Sequence, residues 1–317
     1  MHNVKISVIL SAYNEEERWF RAAVESILNQ SFKDFELILI LDNPKNKLLE
    51  DIINEYANKD NRIVYIRNEK NLGLVESLNK GLKVAKGKYI ARMDADDIAY
   101  IDRLEKQYNY LESHKDIDLI GSSVDFIDEE DKVLQSNTPV VKNSNKIKNY
   151  LKYTNVVVHP TFFFRKSILK DIKGYRDVAF AEDYDFMCRV VASNYNVSNI
   201  KEPLLKYRIR QNSISRDKTL AQLYNAFYLK KLYKERLKSG TDSYKLEDLY
   251  SDGKISSKEI KAFEKSEGLK AKAQQMKNNG KLLEGKAIFL YSKLISKYSR
   301  ENAGCTAIYK LLTKIYE

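Results

Sequence analysis

The chain of 317 residues carries 55 Lys and Arg against 44 Asp and Glu, a net charge of +11, and 43% of it is hydrophobic. Apolar residues this plentiful and this periodic exclude a disordered chain, and no apolar run approaches the roughly 18 residues a membrane-spanning helix needs. The first residues lead directly into a strand-like run without the marks of a signal peptide, and Cys188 and Cys305 lie far apart without metal-ligand spacing, so a reducing, cytoplasmic compartment is expected.

The first part of the chain alternates strand and helix signals. Residues 5–10 form a short apolar strand, and 15–29 a helix in which Phe20, Ala23, Ile27 and Leu28 share a face. Residues 35–41 are apolar throughout, as in a strand buried on both sides. A helix over 48–58, a strand over 62–67, a helix over 71–84 with Gly87 as its stop, and a fourth strand over 89–93 follow. This alternation predicts an α/β fold: a mostly parallel central sheet flanked by helices. Further on, 103–113 reads as a helix, 117–127 and 162–164 as strands, and 182–192 as a helix. From 217 onward the chain is almost wholly helical.

The balance of charge shifts near residue 215. Residues 216–317 hold 22 Lys and Arg against 12 Asp and Glu, whereas 1–215 hold 33 against 32 and all four prolines. Two regions are therefore expected: an α/β domain over 1–215 and a basic, mainly helical appendage over 216–317. The appendage either packs on the α/β domain with its lysines in water or lies on an anionic membrane surface. No nucleic-acid motif accompanies it, so no nucleic acid is expected.

Ligands of such sheets bind beyond the carboxyl ends of the strands, here 11–14, 42–43, 68–73 and 94–97. Asp94, Asp96 and Asp97 directly follow the fourth strand, and Asp94 and Asp96 share a side of an extended segment. Carboxylates so close repel unless a cation compensates them, and Mn²⁺ or Mg²⁺ would also take substrate phosphates. The plainer reading is a turn with Asp97 capping the next helix. Asp42 ends the second strand, either as a turn residue before Pro44 or as an acceptor for a base or ribose. Ser11 and Tyr13 suit a nucleoside, with Asn14 as a helix cap. Glu182 and Asp183 open an apolar helix. His159 is one of three histidines, and Arg208 and Arg210 could reach a phosphate or be ordinary surface charge.

In order and spacing, the strings VKISVILSAYNEE, SILNQSFKDFELILILDN, NLGLVESLNKGLKVAKGKYIARMDADD, DRLEKQ, VVHPTFFFRKSIL, GYRDVAFAEDYDFMCRV and YRIRQNSIS resemble the family 2 glycosyltransferases of the fold-A nucleotide-diphospho-sugar type, over about residues 4–215. The resemblance implies an inverting, metal-dependent transfer of a sugar from a UDP-sugar to the hydroxyl of a glycan or lipid-linked acceptor, in bacterial surface polysaccharide synthesis. It implies that Ser11, Tyr13 and Asp42 hold the uridine, that Asp94 meets ribose or metal, and that Asp96 ligates the metal. Asp183 would be the catalytic base with Glu182 beside it, His159 would line the cleft, and 207–215 would close on the phosphates. Two positions depart from the family: Leu41 where an acidic residue is frequent, and Arg210 where His is common. A sugar-phosphate nucleotidyltransferase is the competing enzyme class, but 11–17 lacks its glycine-rich phosphate loop. A non-catalytic nucleotide-sugar binder is the third reading, separable by diphosphate release.

Overall fold

The computed structural model describes residues 4–210, 219–251, 253–304 and 307. The boundary near 215, Cys305 and part of the 207–215 loop lie outside these residues.

Strands β1 (Ile6–Ala12), β2 (Phe35–Leu41), β3 (Ile63–Arg67) and β4 (Tyr89–Asp94) pair in parallel in the order β3-β2-β1-β4, joined by α1 (Glu17–Leu28), α2 (Lys47–Lys59) and α3 (Leu74–Val84). The sheet then becomes mixed. β8 (Phe163–Arg165) runs antiparallel to β4, followed in order by β6 (Leu119–Ile127), β9 (Val197–Arg208) and the short β5 (Ile98–Ala99), while β7 (Val133–Gln135) pairs with β6. The remaining helices of this part are α4 (Arg103–Ser113), α5 (Ser144–Tyr150), α6 (Leu169–Ile172) and α7 (Glu182–Ala192).

Side chains alternate across a strand, so each strand feeds two cores. Leu37, Leu39 and Leu41 of β2 meet Phe20, Val24 and Ile27 of α1, Leu49 and Ile53 of α2, and Leu104 of α4. Ile38 and Ile40 face the other way, toward Leu78 and Leu82 of α3 and Phe186, Met187 and Val190 of α7. The same parity in β4 sends Tyr89, Ala91 and Met93 to the first core. It sends Ile90, and with it Arg92 and Asp94, to the α7 side. That parity sets the site.

Gly87 is not the helix stop expected of it: α3 ends at Val84 and is capped at Ala85. A Cβ at Gly87 would lie 2.5 Å from the Ser7 backbone nitrogen, so close approach to β1 is what demands glycine there. Asn14 caps nothing, since Glu16 occupies the cap of α1. Asn14 Oδ1 instead accepts from Asn43 and Asn46 and stitches the first two strand ends together.

Beyond the sheet, α8 (Thr219–Ser239) packs on α7, and Leu229, Leu232 and Tyr233 join the same core. Asn225 donates to the Ala179 carbonyl and Tyr233 to that of Lys148. Then come α9 (Ser257–Asn278) and α10 (Leu282–Ile295), which pack on one another as a helical hairpin.

Candidate active site

The first two strand ends meet through Asp42. Its Oδ1 accepts from the Leu72 backbone and from Asn68, and its Oδ2 from the Gly73 backbone, all within 2.7–2.8 Å. The carboxylate thus fixes the turn before α3, where Gly73 has φ +83°. Ser11 pairs in register with Asp94, and Tyr13 is exposed beside it. Glu15, which accepts the Tyr13 N–H at 2.7 Å, also reaches this group: burial, and less strongly the charge of Asp96, push it up to about 6.

At the end of β4 three carboxylates crowd together. Burial first, then mutual repulsion, raise the pKa of Asp96 and raise that of Asp97 further. Asp97 Oδ1 accepts the Arg208 backbone N–H at 2.9 Å, and its buried Oδ2 meets no partner among the described residues. Asp97 therefore caps no helix; β5 follows it. Asp96 pairs with Arg210 Nε at 2.8 Å. Arg208 is engaged by the surrounding chain, with its buried Nη2 alone meeting no hydrogen-bond partner among the described residues. Its Nε donates to the Asp96 carbonyl and its Nη1 to that of Asp128, and it pairs with Asp131, locking the acidic turn against β9. Trp19 lies beneath this group, with the Arg208 and Arg210 guanidiniums 5.2 and 5.8 Å from its ring centre.

Arg92 is the residue the sequence reading missed. It is 4% exposed, contacts Asp94 through Nη2, and its Nε and Nη1 meet no hydrogen-bond partner among the described residues. A charge inside an otherwise apolar strand was the available signal. From β4 its field reaches Asp97, Glu182, Asp183 and His159 together.

Glu182 and Asp183 occupy the first turn of α7. A helix N-terminus favours carboxylates by about 0.3–1 kcal/mol, yet burial wins. Burial and the Asp183 charge push Glu182 up to about 7, and burial raises Asp183 against the hydrogen bond from Asn155 Nδ2 at 2.8 Å. His159 Nδ1 stands 3.9 Å from Glu182, and its Nε2 is 3.0 Å from the Tyr175 hydroxyl. Burial holds His159 well below its ordinary range, so it is neutral near pH 7.

The surrounding chain fixes these parts. Arg103 donates to the carbonyls of Arg92 and Pro160, and Gln107 to that of Thr161, clamping the His159 turn to β4. Asn79 bonds both backbone groups of Tyr175. The neighbouring Gly174, at φ +93°, leaves the space that Asn79 fills. Phe180 holds a left-handed φ of +65° just before α7. Beyond Asp183 opens a cavity of about 400 Å³ lined by Tyr153, Asn155, Phe180, Tyr184, Gln222 and Lys230, with α8 forming one wall.

The expected site residues thus gather at one end of the sheet. Asp94, Asp96 and Asp97 lie at its strand ends, and Glu182, Asp183 and His159 lie across Arg92 from them. Among the described residues no three His, Cys, Asp or Glu side chains form a ready-made metal group. Two hard carboxylates beside a buried unpartnered oxygen still suit a divalent cation that takes the rest of its shell from phosphates.

Residues 7–173 match the family model for glycosyl transferase family 2. An uncharacterized glycosyltransferase of Methanocaldococcus jannaschii is 45% identical over 233 residues, 73% of this chain and 80% of its own. The O-antigen biosynthesis glycosyltransferase WbnJ of Escherichia coli is 31% identical over 234 residues, 73% of this chain and 90% of its own. The crystal structure of S. aureus TarS 1-349 in complex with UDP-GlcNAc superposes with a TM-score of 0.63 at 18% identity, covering 98% of this chain and 91% of that one.

Proposed function

The chain belongs to glycosyl transferase family 2, and on that premise we propose that it moves a sugar from a UDP-sugar to an acceptor hydroxyl with inversion, in the building of a surface polysaccharide or lipid-linked glycan. The observation that carries this reading is the placement of Glu182 and Asp183 across Arg92 from Asp94 and Asp96, with the cavity of about 400 Å³ beyond Asp183. TarS, of the same fold, binds UDP-GlcNAc, and WbnJ works in O-antigen synthesis; both support the donor and pathway class.

Ser11, Tyr13 and the turn held by Asp42 receive the nucleoside, with Tyr13 offering its ring to the base. Asp96 and Asp94 would hold Mn²⁺ or Mg²⁺, which supplies a Lewis acid for the leaving diphosphate. Asp183 takes the proton of the acceptor hydroxyl while that oxygen attacks the anomeric carbon opposite the diphosphate. Asn155 donates to Asp183 Oδ2 and so orients the carboxylate toward the acceptor. Neutral His159 lines the space between donor and acceptor, and Glu182, pushed up to about 7, sits beside Asp183 with its charge reduced.

Incubating the chain with a panel of nucleotide sugars and measuring nucleoside diphosphate release, with Mn²⁺ and with excess chelator, tests the proposal. Release from a UDP-sugar that stops on chelation is expected. No release from any donor, or release indifferent to the chelator, contradicts it.

A further inference from the structure

The helical hairpin wears its leucines outside. α10 packs on α9 through its small residues. Gly285 and Ser292 are buried, Ser266 donates to the Ser292 carbonyl at 2.7 Å, and a Cβ on Gly285 would come within 2.8 Å of the Ala273 carbonyl. On the opposite side Leu283, Leu290 and Leu294 are 81%, 60% and 70% exposed, and Ala287 and Tyr291 lie between them in the open. The spacing 283, 287, 290, 291, 294 is one helical face. An apolar stripe of this size turned to water marks an interaction surface.

The charge around it says which kind. Lys286 and Lys293 run along one edge of the stripe, with Lys293 over the Phe289 ring at 4.5 Å. Residues 254–300 as a whole carry 12 Lys and Arg against 4 Glu. A second copy of the chain would bring the same positive excess against itself. An anionic surface would be attracted by it. Among the described residues no helix is long and apolar enough to cross a membrane, so α10 would lie on a bilayer and not span it.

We propose that α10 is an interfacial helix that beds Leu283, Leu290, Tyr291 and Leu294 into an anionic lipid surface, with Lys286 and Lys293 on the headgroups. The helix is carried by α9, which Ile255, Phe263 and Tyr298 fix to Leu220, Tyr224 and Phe227 at the start of α8. The same α8 walls the cavity beside Asp183. Lipid contact at α10 is therefore linked to the cavity beside Asp183 through α9 and α8. The inference rests on the exposed face and the charge, not on the transfer reaction.

The test is co-sedimentation of the full chain with vesicles of equal parts phosphatidylglycerol and phosphatidylcholine, and with phosphatidylcholine alone. The same chain is followed without lipid by sedimentation velocity. The chain is expected to pellet with the anionic vesicles only. The Leu290→Ser/Leu294→Ser variant should partition about tenfold more weakly with an unchanged circular dichroism spectrum, and Lys286→Glu/Lys293→Glu should also lose binding. Failure of the full chain to pellet overturns the proposal, as does equal pelleting by the leucine variant. A dimer in solution that the leucine variant dissociates would place a second copy on the face and overturn it too.

Discussion

Arg210 Nε lies 2.8 Å from Asp96 Oδ2, so a guanidinium just past the end of β9 neutralises one of the carboxylates that crowd the end of β4. Asp96 is 14% exposed and Arg210 29%. An arginine cannot ligate a cation, so it competes with one for the same oxygen. Divalent binding without nucleotide should therefore be weak, and Arg210→Ala should tighten it by up to about fivefold, the ceiling for a partly exposed pair. The same substitution should weaken UDP, which loses a positive partner. Calorimetric titration of Mn²⁺ with and without UDP reads both effects.

Arg92→Met removes the buried cation and leaves Asp94, whose side chain is 31% exposed, beside Asp96 and Asp97 without its partner. Breaking a fully buried pair costs about 3–5 kcal/mol, and with Asp94 partly in water urea unfolding should show a loss below that range. Arg92 also lowers the pKa of Glu182 and Asp183. The acid limb of the rate profile should accordingly move to higher pH in Arg92→Met, which a merely structural arginine would not cause.

Asp42→Ala leaves the Leu72 N–H without its acceptor, while the Gly73 N–H keeps Asn71 Oδ1 and the Asn68 amide keeps Ser77. A loss of about 1–3 kcal/mol in stability follows from one buried acceptor removed. Weaker UDP binding should accompany it, because the turn proposed to receive the nucleoside loosens. Undiminished stability in urea would mean that the turn holds itself.

Stability should fall as pH rises from about 4.3 to about 7. Glu182 is pushed up to about 7, and Asp96, Asp97 and Asp183 are also raised. Each binds its proton more tightly folded than unfolded, so folding loses free energy as these protons leave. His159 acts oppositely, since its folded pKa is depressed and its contribution is lost as pH drops below about 6.5. Melting temperature across pH 5–8 should fall less steeply toward the alkaline side in Glu182→Gln than in the native chain, and Mn²⁺ with UDP should flatten the native curve.

The parallel half of the fold was legible because its strands are short apolar runs between amphipathic helices; the observed 35–41 matches the expected bounds, as do the later helices 103–113 and 182–192. β9 was not legible. Lys201, Glu202 and Pro203 interrupt its apolar pattern, and its register against β6 shifts at Ser122 and Ser123. Acidic strand ends could be read from position alone, and Asp183 only from resemblance, since nothing local shows that α7 starts opposite β4. Tertiary pairing also redirected local signals. Asn14, expected to cap, bonds across to Asn43, and Arg208, read as a phosphate contact or ordinary surface charge, holds the acidic turn. The outward leucines of α10 escaped notice because a mixed Lys and Leu helix does not reveal which face is covered.

The central claim, that Asp183 is the base acting on an acceptor beside the diphosphate pocket, is tested by measuring UDP affinity and sugar transfer together in Asp183→Asn. Donor affinity should stay within about twofold while turnover drops by about 100- to 10,000-fold, the usual worth of a general base. Affinity and turnover falling in equal proportion, or turnover surviving, would contradict the account.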